Sequence, residues 1–420
     1  MDGDSRTRQR GRLHSSLIET ASMKIDNIEE IRNQVIEMLD MTREPDEEEL
    51  HEIIDQKIED NFNIHQLSIN ERYQLHKDIY NSIRGLGVVE DLLNDESITE
   101  IMINGTKNIF IEREGEITQI EHNYSSSSRL NDVIQQIVGK TNKRVNQANP
   151  IVDTRLSDGS RVNVVLPPIS LSGAVVTIRK FPSETIDMDK LIKWESITKE
   201  AAEFLKELVR AGYNIFVSGG TGSGKTTFLN ALSNYVEESE RVITIEDSAE
   251  LQLKNIKNLI SLETRSATDE GTTEINIRDL IKTSLRMRPD RVIVGEVRGP
   301  EALDMLQAMN TGHDGSMSTG HANSPKDMLA RLETMVLMGI EMPLLAIRSQ
   351  IASGIDIIIH LGRMRDKSRK VLEIDEVDGM KNGEIQLRKI FELSKIDNGF
   401  ELKRVSKELL HREKLINYKG

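Results

Sequence analysis

One stretch constrains this chain more than any other. Gly219, Gly220, Thr221, Gly222, Ser223, Gly224, Lys225, Thr226 and Thr227 directly follow the apolar run Tyr213-Asn214-Ile215-Phe216-Val217. The apolar helical run Phe228-Leu229-Asn230-Ala231-Leu232 comes next. A strand, a glycine-rich turn ending in Lys-Thr, and a helix in that order make a phosphate-binding (Walker A) loop. Glycines let backbone N–H groups turn toward one point, where the positive end of the helix also favours an anion. From there Lys225 reaches β- and γ-phosphates, and the Thr226 hydroxyl can enter the shell of a Mg²⁺ ion. The expected ligand is a nucleoside triphosphate with its magnesium.

Hydrolysis needs a carboxylate on the metal side and a group that orients water. Two acids close apolar strands, the usual position for ligand chemistry in α/β sheets. Arg241-Val242-Ile243-Thr244-Ile245 ends on Glu246-Asp247, and Arg291-Val292-Ile293-Val294 ends on Gly295-Glu296. The common Walker B strand ends in aspartate, so Gly295-Glu296 is a departure. The longer glutamate suits a water-mediated hold on Mg²⁺, which leaves Glu246 to polarise the attacking water. Further on, Gly312-His313-Asp314-Gly315 leads into Ser316-Met317-Ser318-Thr319, which reads as another strand. That places His321 past its end, where a neutral imidazole could meet the γ-phosphate or Glu296 and report nucleotide state; His313 is a second candidate. Arginines suited to a phosphoryl-transfer transition state are Arg113, Arg155, Arg161, Arg179, Arg265, Arg278, Arg286 and Arg298, and spacing does not choose among them.

The remaining organisation follows from periodicity. Residues 1–23 carry Arg6, Arg8, Arg10 and Arg12 with no apolar core behind them, which reads as a disordered basic tail rather than a secretory signal; Met23 could even mark the true start. Residues 24–92 are helical and acidic, with faces at Ile28, Ile31, Val35 and Leu39 and at Leu50, Ile53, Ile54 and Ile58. Pro45-Asp46-Glu47 is a helix start and Glu71–Ile83 a third helix. Residues 93–185 read as a small α+β domain, with short strands, Asn104-Gly105 and Glu114-Gly115 turns, and a serine-capped helix from Leu130 to Gly139. Strand and helix alternate over 186–365, the pattern of a parallel sheet. Residues 366–420 supply a hairpin around Asn382-Gly383 and a charged tail. The chain has no cysteine, which excludes disulfides and thiolate zinc sites, and its nine histidines lack metal-ligand spacing. A net charge of −14 argues against a nucleic-acid partner. Met335–Ile347, the most apolar run, is broken by Gly339, Glu341 and Pro343.

Taken in order, these motifs resemble the type II/type IV secretion ATPase superfamily. Gly219–Thr227 looks like its Walker A and Thr244-Ile245-Glu246-Asp247 like its Asp box. Arg286–Arg298 looks like its atypical Walker B, and Ser318-Thr319-Gly320-His321-Ala322-Asn323 like its His box. Within the superfamily, Ser82–Gly87, Thr99–Gly105 and Asp153–Asn163 resemble the CpaF family of tight-adherence (Flp) pilus assembly. The likeness runs from about residue 70 to 395. It implies an α/β fold: a RecA-like P-loop ATPase domain preceded by a smaller α+β domain and an N-terminal helical region. It also implies ATP and Mg²⁺, a cytoplasmic homo-hexamer peripheral to the inner membrane, and a membrane platform protein as partner. Among the arginines the resemblance favours Arg155, Arg161 and Arg179 as the phosphate clamp. A conjugation-type ATPase, a nucleic-acid motor and a non-hydrolysing scaffold are the alternatives.

Overall fold

In a computed structural model of the chain, the described residues are 30–32, 34–39, 47–61, 67–83, 86, 88–113, 115–124, 126–139, 141, 143–181, 185–265, 273–396, 399–406 and 408–419. The expected basic tail and the Pro45-Asp46 helix start lie outside them. The chain divides into two compact units, Met1–Ser183 and Glu184–Gly420.

The first unit opens with helices Glu47–Asn61 and Ile69–Ile83. Leu50, Ile54, Ile58 and Ile79 recur at helical spacing and bury a shared core with Ile31 and Val35. The second helix starts on a capping box: Ser68 Oγ accepts from the Glu71 N–H, and the Glu71 carboxylate accepts from the Ser68 N–H at 2.9 Å. A six-stranded sheet follows, made of β1 (Ile98–Asn104), β2 (Asn108–Arg113), β3 (Glu116–Ile120), β4 (Ile151–Arg155), β5 (Arg161–Val165) and β6 (Val175–Arg179). Its order is β3-β2-β1-β6-β5-β4 and every pair is antiparallel. Helix Ser127–Gly139 lays Leu130, Val133, Ile134 and Ile137 on the sheet, with Ser126 Oγ accepting from the Arg129 N–H at its start.

The second unit is built on nine strands: β7 (Ile215–Gly219), β8 (Arg241–Glu246), β9 (Asn258–Glu263), β10 (Arg291–Val294), β11 (Met317–His321), β12 (Ile357–Arg363), β13 (Arg369–Lys381), β14 (Glu384–Ile396) and β15 (Gly399–Arg404). Their order is β15-β14-β13-β12-β7-β11-β10-β8-β9. From β9 to β12 the strands run parallel. Continuous burial of β7, β8 and β10 fits helices packed on both faces. Parallel strands end on one edge, so the segments after β7, β8, β10 and β11 share that edge.

Beyond β12 the sheet turns antiparallel. The hairpin of β13 and β14, read from sequence as the start of a separate C-terminal segment, is therefore hydrogen-bonded into the same sheet as β7. The charged tail also has structure: helix Glu413–Lys419 lies beside Lys199–Arg210. Tyr213 Oη donates to the His411 carbonyl at 2.7 Å, and Lys414 Nζ reaches Asp314 and Asp356, each at 2.8 Å.

Candidate nucleotide site

The phosphate loop joins β7 to helix Lys225–Ser233. Gly224 caps that helix at φ 88°, a left-handed conformation costly for residues with a Cβ, and no side chain caps it. The first-turn N–H groups thus point toward where an anion would sit. Ser223 Oγ and Lys225 Nζ both donate to the Gly220 carbonyl, at 2.9 and 3.1 Å, which holds the turn closed. Lys225 is buried, and that burial pushes its pKa down while Glu296 pulls the other way. Thr226 and Thr227 are partly exposed on the first helical turn.

The sheet order brings the separated motifs together. Lys225 Nζ lies 3.3 Å from His321 Nδ1, and His321 Nε2 lies 2.9 Å from Glu296 Oε1. The second contact is an ion-pair distance whose angle leaves Glu296 Oε1 buried without a hydrogen-bond donor. Arg298 closes the series, with Nη2 at 2.7 Å from Glu296 Oε2 and Nη1 at 3.5 Å from Asp247. Burial and the neighbouring Lys225 hold the His321 imidazole below its ordinary pKa, which favours the neutral ring. With Nδ1 accepting from Lys225, the ring's own proton belongs on Nε2.

Glu246 explains the unusual strand end. Its carboxylate is buried and accepts backbone N–H bonds from Glu250 at 2.9 Å and Leu251 at 3.2 Å. A Cβ on Gly295 would fall 2.9 Å from Glu246 Cγ. Glu246 therefore occupies the space an aspartate at 295 would need, and the second acid stands one residue later, at Glu296. The strand end itself is fixed by Thr319 Oγ1 donating to the Gly295 carbonyl at 2.7 Å.

The other candidates sort by position. His313 precedes β11, on the sheet edge opposite the loop, and its Nδ1 is 3.3 Å from the Ala308 carbonyl; the structure does not bring it to the site. Arg113 pairs with Asp95 at 2.5 Å and Arg278 with Asp304 at 2.7 Å, while Arg265 donates to the Thr273 carbonyl at 3.1 Å. Arg155, Arg161 and Arg179 belong to the first unit. There they form a row across three strands, Arg155 opposite Arg161 and Arg161 opposite Arg179.

Two features escaped the sequence. Arg363 and Arg369, cross-strand partners on β12 and β13, flank the glycines of the loop. A cavity of about 490 Å³ also opens beside Thr221, lined by His321, Asn323, Asp327 and Arg331. No local pattern reveals the first, because β12 pairs with β7 across roughly 140 residues of chain.

The comparisons with known proteins fit this geometry. A Mycobacterium tuberculosis protein named for conjugal transfer is 33% identical over 298 residues, covering 70% of this chain and 84% of its own length. Conjugal transfer protein TrbB of Rhizobium radiobacter is also 33% identical, over 70% of this chain and 88% of its own. The Legionella pneumophila ATPase DotB is 22% identical with a TM-score of 0.50, covering 68% of this chain and 78% of that one; it shares the RecA-like α/β fold. The family model described as type II/IV secretion system protein matches residues 82–396. The chain belongs to the type II/IV secretion system protein family.

Proposed function

We propose that this chain is an ATP-hydrolysing motor of a type II/IV secretion-class machine, acting as a homo-hexamer. The carrying observation is the continuous series Lys225–His321–Glu296–Arg298 beside a phosphate loop with an uncapped helix. Lys225 neutralises the β- and γ-phosphates. The buried Glu296 Oε1 without a donor, together with the Thr226 hydroxyl, offers the hard oxygens that Mg²⁺ prefers. Thr226 would bind that ion directly and Glu296 through water, and the ion supplies charge neutralisation at the phosphates. Glu246, held in place by two backbone N–H groups, polarises the attacking water. Neutral His321, between Lys225 and Glu296, transmits the loss of the γ-phosphate to the carboxylate. The row Arg155, Arg161 and Arg179 supplies the charge that offsets the transition state.

The machine itself is read at a finer level. Residue-level likeness over Ser82–Gly87, Thr99–Gly105 and Asp153–Asn163 favours a tight-adherence pilus motor of the CpaF type, peripheral to the cytoplasmic membrane face and working on a membrane platform protein. Relatives named for conjugal transfer favour the second reading, a conjugation-type secretion ATPase. No helix among the described residues is long and apolar enough to cross a membrane.

The test is ATPase turnover against protein concentration for wild type, Glu246→Ala and Arg155→Ala, with mass from light scattering. Specific activity should rise as hexamers form, and both variants should lose turnover while still binding nucleotide. Equal turnover by wild-type monomers would overturn the ring; silence from assembled wild type would overturn the motor.

A further inference from the structure

The buried stretch of β12 carries one polar side chain. Ile357, Ile358, Ile359 and Leu361 are aliphatic, and His360 among them is 5% exposed. Another aliphatic residue could fill that position without any hydrogen bond, whereas a buried imidazole needs partners. His360 finds them on two other segments. Its Nδ1 lies 2.9 Å from Ser218 Oγ, on its register partner in β7, and the ring also bonds the Asn323 backbone just beyond β11. Burial holds the imidazole below its ordinary pKa, while Glu373, opposite it on β13, pulls the other way. A neutral ring that accepts from the Ser218 hydroxyl at Nδ1 keeps its proton on Nε2, the nitrogen left for Asn323.

The two partners belong to the two halves of the candidate site. Ser218 immediately precedes Gly219, and Asn323 follows His321 by two residues. In the sheet, Gly219 stands between His321 on β11 and Leu361 on β12. A Cβ on Gly219 would fall 2.5 Å from the Leu361 carbonyl oxygen, so β12 presses directly on the first residue of the loop. The β12–β13 ladder shifts register between His360 and Leu361, an irregularity of the kind that re-aims a side chain. The imidazole thus ties the strand that opens the loop to the segment that carries His321. The Lys225–His321 contact at 3.3 Å spans the same two segments.

We propose that His360 is a positioning residue for hydrolysis, fixing the phosphate loop and the His321 segment relative to each other through Ser218 and Asn323. It thereby sets the Lys225–His321 contact, and it acts only through the residues it bonds. The proposal rests on the reading that this chain hydrolyses ATP. The Ile359 carbonyl, 3.4 Å from Ser218 Oγ, is a second acceptor for the hydroxyl. Replacing the ring therefore removes the tie without leaving the buried serine unbonded.

The experiment compares wild type, His360→Leu, His360→Gln and Ser218→Ala in the full chain. It reads kcat for Mg-ATP, calorimetric affinity for Mg-ADP and the melting temperature. Leucine fills the space as the neighbouring aliphatic residues do, so His360→Leu should melt at or above wild type. Its kcat should nevertheless fall by about tenfold or more, within the range for a small misplacement of reacting groups. Mg-ADP affinity should hold, because Lys225 and the loop amides are intact. Ser218→Ala should show the same split, and His360→Gln, which keeps one donor and one acceptor, should recover most of the loss. Wild-type kcat in His360→Leu, or equal losses in the leucine and glutamine variants, would overturn the positioning role. So would a loss of Mg-ADP affinity as large as the loss of kcat, which would make His360 a support of the loop alone. If His360→Leu does not fold, Ser218→Ala decides, and wild-type kcat there would overturn the tie. Silence from assembled wild type would instead remove the hydrolysis reading and this proposal with it.

Discussion

Two charged clusters in this molecule are built in different ways. At the phosphate loop, Lys225, His321, Glu296, Arg298 and Asp247 form one series, with the imidazole between Lys225 and Glu296 and Arg298 between the two carboxylates. In the first unit, Arg155, Arg161 and Arg179 are register partners across β4, β5 and β6, with Glu100 opposite Arg179. The first cluster is gathered from loops and strand ends far apart in sequence, through a parallel sheet. The second is laid out by the register of neighbouring antiparallel strands. A gathered cluster depends on every strand between its members, whereas a row depends only on its own register.

That contrast yields its largest expected effect at Glu296. Glu296→Gln removes the negative member between His321 and Arg298, and turnover should fall by about 100-fold or more. Calorimetric nucleotide binding should survive, since Lys225 and the loop amides remain; unchanged turnover would mean the series at the loop is only structural. A smaller effect, about tenfold or more on turnover, is expected for Arg161→Gln at the centre of the row, within the range for losing a transition-state donor. The melting temperature should hold, since Arg161 is an exposed residue. A lower melting temperature with turnover intact would reverse the comparison and make the row a structural element.

The smallest effect belongs to a buried charge outside both clusters. Asp375 on β13 is 3% exposed, and burial, reinforced by Glu373, pushes its pKa from 3.8 up to about 7. Between those values the folded chain holds a proton that the unfolded chain has released. Stability therefore declines as pH rises from about 4 to about 7, and the full cost stands above 7. Asp375→Asn should gain on the order of 1–3 kcal/mol at pH 8 and almost nothing at pH 4. Denaturant melts at the two pH values check this, and an equal change at both would exclude the ionisation as its cause.

Legibility followed how each group is assembled. Glu246 and Glu296 close or follow apolar runs and His321 ends the short strand after Ser316, and a parallel sheet gathers such ends without further instruction. Their mutual contacts needed the order β7-β11-β10-β8, which no single run encodes. Gly295 looked like a departure from the usual acid until Glu246 was seen to fill its place. His313 shares its glycine-rich surroundings with His321, yet it precedes the strand that His321 ends, which puts the two on opposite edges. The arginine row depends on the register of β4, β5 and β6, so only the family likeness singled those residues out. That Arg369 and Trp194 line one cavity was invisible for a similar reason, since it depends on β13 reaching back to Ser196.

The last helix deserves a different kind of thought. Lys414 gathers the Gly212 carbonyl, Asp314 and Asp356, which lie just ahead of β7, β11 and β12 respectively. It works as a buckle on the roots of three neighbouring strands, one of which flowers into the phosphate loop at its other end. Fusing a tag to the final residues, or trimming them, would handle the nucleotide machinery from behind. An experimenter who alters this tail for convenience will be loosening the floor on which the loop stands.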